Sequence, residues 1–319
     1  MPRQLEHHAD SELPGQGGHL EAASDTEAAA GQPTGTGDQT MDLTTPPSGL
    51  GGPTATPEPA PWPWLLRLRP GLLLVAVAAF VLTAWLVFLA VDIIDVGGIS
   101  DRIPMPMWTY LFNDHVVEVT QWIMLAVVVA LSGYLGGRLA GTVHRGASSF
   151  FFILAIGLGL MLVEEAGDIR HGISGAVRLH FGADVLGLPY QMVSDVPYFA
   201  ALAVLPLYAV IRYGRHAWAS VSARPYLVAA VGLYGLAAIS SGLRHLGSLY
   251  VNLGSVIDRA FFGGRFPPAP GMTQDRAHYF VVDGPIEESV ELFAVTCMLA
   301  MVLAFVADLR AGRLATQLR

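Results

Sequence analysis

The chain has 319 residues, 53% of them hydrophobic and 14% charged, with a mean hydropathy of +0.48 and a formal charge of −8. A composition this apolar excludes an ordinary soluble domain and calls for a lipid bilayer. All 18 basic side chains are arginine and Cys297 is the lone cysteine, which excludes lysine Schiff-base chemistry, a phosphate-loop lysine, an intrachain disulfide and a thiolate metal cluster.

Residues 1–60 are rich in Gly, Pro, Thr and acid, as in GQPTGTGDQTMDLTTPPSGLGGPTATPEPAP, and carry no hydrophobic periodicity. Such a stretch buries too little apolar surface to offset the entropy of ordering, so a disordered acidic cytoplasmic tail is expected. Its nine acids (Glu6, Asp10, Glu12, Glu21, Asp25, Glu27, Asp38, Asp42, Glu58) stand against Arg3 and account for the whole net charge. The body, 61–319, keeps 17 acids and 17 arginines and is neutral.

PWPWLLRLRP comes next, with Trp62 and Trp64 suited to the membrane interface and Arg67 and Arg69 to the cytoplasmic flank of a helix. Six apolar runs then approach the ~20 residues that cross ~30 Å of hydrocarbon, over about 71–91, 114–136, 149–169, 194–212, 225–244 and 285–307. The expected fold is an all-α integral membrane protein, a six-transmembrane-helix bundle. With the N-terminus inside, ten arginines flank the cytoplasmic ends of the spans and seven, mostly in longer loops, lie on the opposite side. That asymmetry places both termini in the cytoplasm and the bundle in the plasma or inner membrane.

The segments 92–113, 172–193 and 246–284 then face outward, and their length marks the outer face as the place for function and for short interfacial helices. Asp114, Asp195 and Asp283 each precede an outer helix start and read as helix caps. Placing Glu118 over Glu288 also aligns Asn113 with Asp283 and Leu139 with Leu309, a pattern of three related hairpins. Trp108, Tyr110, Trp122, Tyr190 and Tyr198 read as interfacial anchors. The Ser132-Gly133 and Gly136-Gly137 steps read as close helix packing.

One stretch stands apart. LVEEAGDIRHG (162–172) crowds charge onto the end of the apolar run FFFILAIGLGLM. Glu164 and Glu165 lie roughly 15 residues, or ~22 Å, above the inner end of the third span, and Glu291 reaches a similar height in the sixth. Glu118 enters the second span from outside at about one turn's depth. His115 and Glu118 are spaced i,i+3, Glu164, Asp168 and His171 are i,i+4,i+7, and Glu287, Glu288 and Glu291 form an i,i+3 and i,i+4 set, so each group makes one stripe. Charge facing lipid is costly, so the stripes are expected to turn toward one another. ISSGLRHLGS, at the end of the fifth span, adds Arg244 and His245.

The expected cation- or proton-binding set is therefore Glu118, Glu164, Glu165, Asp168, Glu287, Glu288 and Glu291, supported by Arg170 and Arg244. Acid this concentrated and partly desolvated holds protons, binds cations, or both. His115, His171 and His245 are candidate metal ligands or titrating switches.

Three functions use these residues. The first is transport or sensing through an outward-facing cation or proton site. The second is an intramembrane metalloenzyme, with a divalent metal ion acting on a lipid-like substrate. Its usual Glu-x-x-His pairs and the His-Glu-x-x-His signature are missing from the sequence, and no catalytic residue is assigned. The third is a structural or assembly protein in which the charges are salt bridges. The inner halves, such as AVTCMLAMVLAFV, offer an ion little, so a full pathway needs carbonyls, water, a moving gate or a second subunit, which leaves a homo-oligomer open. The expected partners are the bilayer and a cation or protons; no basic nucleic-acid face is present.

Overall fold

A computed structural model describes residues 67–113, 115–244 and 247–314. The tail expected over 1–60, the Asp114 cap and the His245 ligand lie outside the described residues. Eleven helices occur among them in chain order: α1 (Pro70–Phe88), α2 (Met107–Phe112), α3 (Val116–Leu139), α4 (Arg145–Gly167), α5 (Ile169–Phe181), α6 (Tyr190–Tyr208), α7 (Gly214–Trp218), α8 (Arg224–Leu243), α9 (Leu249–Ile257), α10 (Gln274–Val281) and α11 (Glu287–Arg310). Between α5 and α6 the strands β1 (Asp184–Val185) and β2 (Leu188–Pro189) form a small antiparallel hairpin.

Six helical segments among the described residues are long and apolar enough to cross a membrane: Pro70–Ile93, Met107–Leu139, Arg145–Gly167, Tyr190–Trp218, Arg224–Leu243 and Gln274–Arg310. The protein is an all-α, multi-pass membrane bundle. Proline in the first turn starts α1 and α8, where its missing N–H costs nothing. Asp168 ends α4 by adopting left-handed φ 48°, ψ 38°, and α5 leaves in a new direction.

The last span is the centre of the bundle: 78% of its most apolar 18-residue stretch is buried, against 17–44% for those of the others. A helix that is apolar on every face serves this role, and the fully buried Ala294, Ala300, Ala304 and Thr296 let α1, α3 and α8 pack close around α11. Helix α4 packs behind α3 because Gly136 has no side chain: a Cβ there would lie 2.9 Å from Phe152 Cβ. Ser148 Oγ completes the contact by donating to Gly136 O at 2.6 Å. On its far side α4 meets α6 through Gly157, where a Cβ would come within 2.6 Å of Pro206. Close packing is therefore the role of Gly136 and Gly157.

At the short-loop end, Asp308, 2% exposed, fastens α11 to the α7–α8 turn. It accepts from Ser220 Oγ at 2.6 Å, Ser222 Oγ at 3.0 Å and Arg313 Nη2 at 2.5 Å.

The opposite end is built up by α2, α5, α9 and α10, the short helices expected in the long loops. Trp85, Phe88, Trp108, Phe112, Phe262 and Phe266 form an aromatic cluster there. Trp108 is 1% exposed and donates its indole N–H to Pro267 O at 3.1 Å, so it is a core residue and not the interfacial anchor its sequence context implied. Its backbone N–H and that of Met107 donate to Asp92 at 2.9 and 2.8 Å, which satisfies the open end of α2 from α1's extension.

Candidate functional site

Within the loop-rich end lies a cavity of about 810 Å³. Glu118 from α3, Glu164 and Glu165 from α4, Arg170 from α5, and Glu287, Glu288 and Glu291 from α11 all line it, together with Asp168, His171 and Arg244. Carboxylates from all three stripes and both supporting arginines therefore meet at one place. Two further acids, Asp195 and Asp283, bring its carboxylates to nine, against the four guanidinium groups of Arg170, Arg178, Arg244 and Arg276.

Four of the acids lie against the two central arginines. Arg170 lies 3.8 Å from Glu164 Oε1 and 3.6 Å from Asp195 Oδ2. Glu164 also accepts the Tyr198 hydroxyl at 2.5 Å and the Arg170 backbone N–H at 3.3 Å. Asp195 is held by the Ser174 and Ser194 hydroxyls at 2.7 and 2.9 Å. Arg244 contacts Asp283 at 2.9 Å and Glu287 at 3.9 Å. Burial opposes the charge of Arg244, but Asp283 and Glu287 outweigh it and raise its pKa above the ordinary arginine range. Glu287 also accepts from Ser241 Oγ and lies 3.4 Å from Tyr250 OH. Burial, reinforced by the Glu287 charge, pushes the Tyr250 phenol above its usual range.

Glu118, Glu165, Glu288 and Glu291 cluster beside them, with Glu165 and Glu288 each within electrostatic reach of the other three. Glu291 accepts from Gln121 Nε2 at 2.8 Å. Glu165 and Glu288 make no hydrogen bond or close ion pair among the described residues, and Glu288 Oε2 is inaccessible as well as unpartnered. After pairing, this site still holds excess acid.

Phe199 forms the floor. Its ring has the Arg170 guanidinium 5.2 Å from its centroid and that of Arg244 at 5.9 Å, so one aromatic face system braces both arginine clusters.

Several expectations need correction. The Glu164–Asp168–His171 stripe does not continue along one helix, because the left-handed Asp168 breaks it. Asp168 and His171 pair with each other at the cavity rim with side chains 69% and 65% exposed, so they are not part of the desolvated centre. His115 is exposed at the start of α3, bonds to Asn113 O and does not line the cavity. Among the described residues no group of three or more His, Cys, Asp or Glu side chains is arranged to hold a metal ion. Asp195 and Asp283 are ion-pair acceptors and not helix caps: Pro189 occupies the N-cap of α6, and Asp283 sits in the turn joining α10 to α11.

Sequence reasoning missed Gln121, Tyr198 and Phe199. Gln121 had a legible signal, since it falls three residues after Glu118 on the same face. Tyr198 and Phe199 had none, because a tyrosine and a phenylalanine near a span's end read equally well as lipid anchors.

No protein-family model, no curated protein and no solved structure matches this chain.

Proposed function

We propose that this protein, set in the plasma or inner membrane with its loop-rich end outward, takes up protons or a small cation into the carboxylate cluster and uses that occupancy for transport or sensing. The observation that carries the reading is that Glu165 and Glu288 make no hydrogen bond or close ion pair among the described residues, beside Glu118 and Glu291, while Arg170 and Arg244 lie within 4 Å of four other acids and Arg170 Nε keeps no hydrogen-bond partner. Like charges ~4 Å apart repel by about 4 kcal/mol at an effective dielectric near 20. A proton or cation entering the cluster removes such repulsion, which supplies both the driving force for uptake and a structural consequence of it. Open volume between the acids suits a proton relay or a loosely held cation better than a chelated divalent metal.

The test is proton entry into proteoliposomes enclosing a pH-sensitive dye after an external acid pulse, with infrared difference spectra of the carboxyl stretch recorded in parallel. Glu165→Gln and Glu291→Gln are expected to cut proton entry about tenfold or more if the site transports. If it senses, they remove the carboxyl difference band while vesicles with and without protein stay equally tight. Wild type and variants that match in both measurements would overturn the proposal.

A further inference from the structure

Beneath the acidic cavity lies a second one of about 310 Å³. Glu164, Glu165, Phe199, Ser241 and Glu291 line both, so the two meet at the carboxylates. Apart from Tyr234 on α8, whose phenol lies within electrostatic reach of Glu165 and Glu291, the walls away from that meeting point are apolar: Leu125 from α3, Leu158 from α4, Val210 after α6, Val231 from α8 and Met298 from α11. Gln121, 3% exposed, lines the upper wall. Its Nε2 donates to Glu291, which turns Oε1 the other way, and Oε1 has no hydrogen-bond partner among the described residues. A buried amide acceptor without a donor, next to carboxylates in excess, asks for a ligand rich in N–H and positive charge.

We infer that the two cavities form one site for an amphiphilic cation, a protonated amine with a single hydrocarbon chain, whose ammonium lies between Glu165, Glu291 and Gln121 Oε1 and whose chain fills the apolar slot. This deepens the cation reading above and rests on it. Three features choose the occupant. The acids repel an anionic headgroup, and a neutral alcohol leaves them uncompensated. The slot lies at the small end of the volumes that hold small molecules and is too small for a two-chain lipid. Leu207 and Val231, which line it, are 50% and 38% exposed, so its flank reaches the bundle's lipid-facing side, where an amphiphile is already concentrated.

The experiment is equilibrium dialysis of radiolabelled decylamine against the full chain in phosphatidylcholine nanodiscs, with empty nanodiscs subtracted. Butylamine, methylammonium and decanol serve as comparison probes. Saturable decylamine binding is expected, on the order of a thousandfold tighter than butylamine when all six extra methylenes are buried. Glu165→Gln and Glu291→Gln each weaken it about tenfold. Gly235→Leu places a side chain in the slot, and because a Cβ at Gly235 meets nothing within 4 Å the helix accepts it. That variant is expected to erase the advantage of the long chain over the short one.

Decanol binding as tightly as decylamine, or a chain-length advantage that survives Gly235→Leu, would overturn the inference. Carboxylate-dependent proton uptake with no saturable decylamine binding would overturn it alone. Loss of both would overturn the underlying cation reading as well.

Discussion

Arg244→Gln is expected to destabilise the protein by about 3–5 kcal/mol, the range for removing one partner of a buried ion pair. The Arg244 side chain is 11% exposed and compensates Asp283 and Glu287, which are themselves only 16% and 6% exposed. It also donates from Nε to Ser241 O at 3.2 Å and braces Phe199. Removing it leaves two acids adjoining an already acidic cluster, so the penalty comes from uncompensated charge and not from a lost contact. The combination Arg244→Gln, Asp283→Asn and Glu287→Gln should recover most of the loss, because it removes the stranded charges along with the arginine. Thermal unfolding in detergent measures both. A loss under about 1 kcal/mol, the value typical of an exposed pair, would show that this arginine is solvated.

Gly254→Ala is expected to cost about 3 kcal/mol or more, at the upper end of overpacking effects. A Cβ at this position would lie 1.7 Å from His278 O and 2.9 Å from Val281 Cγ1, and the first of these is backbone that no rotamer change can move. Helices α9 and α10 would have to separate. Since α10 carries Tyr279 and leads directly into Asp283, the shift also loosens the Arg244 pair, and cation or proton uptake should weaken with stability. Gly232→Ala is the matched control: nothing lies within 4 Å of its added Cβ, and helix propensity alone predicts a gain of about 0.5–1 kcal/mol. Equal behaviour of the two variants in a thermal unfolding series would contradict the close approach of α9 and α10.

The sequence made the membrane character and the six spans legible because both rest on length and hydropathy, which act residue by residue. Expected limits such as 71–91 and 149–169 fall close to the observed Pro70–Ile93 and Arg145–Gly167. The convergence of Glu118, Glu165 and Glu291 was legible for a related reason: charge is costly in lipid, and helical spacing plus depth leave these side chains few other places to point. Asp168 shows where that reasoning stops. Its i,i+4 spacing from Glu164 assumes an unbroken helix, and one left-handed residue converts a buried ligand into a rim residue. Asp195 and Asp283 were obscured because local sequence offers a helix cap as a sufficient explanation for any Asp near a helix start, whereas the ion pairs come from Arg170 and Arg244 on other elements. The apolar slot had no sequence signature at all, since Leu125, Leu158 and Met298 look the same facing a cavity as facing lipid.

The most direct test of the account is covalent mapping of the cluster in the intact protein with dicyclohexylcarbodiimide, a hydrophobic reagent that adds to protonated carboxyl groups, followed by peptide mass spectrometry. Modification is expected to concentrate on Glu165 and Glu288, to fall as the medium is made alkaline and to be suppressed when decylamine occupies the site. Modification spread evenly over Glu164, Asp195 and Asp283, or absent from Glu165 and Glu288 at every pH, would contradict a protonatable, cation-accepting cluster at the loop-rich end of this bundle.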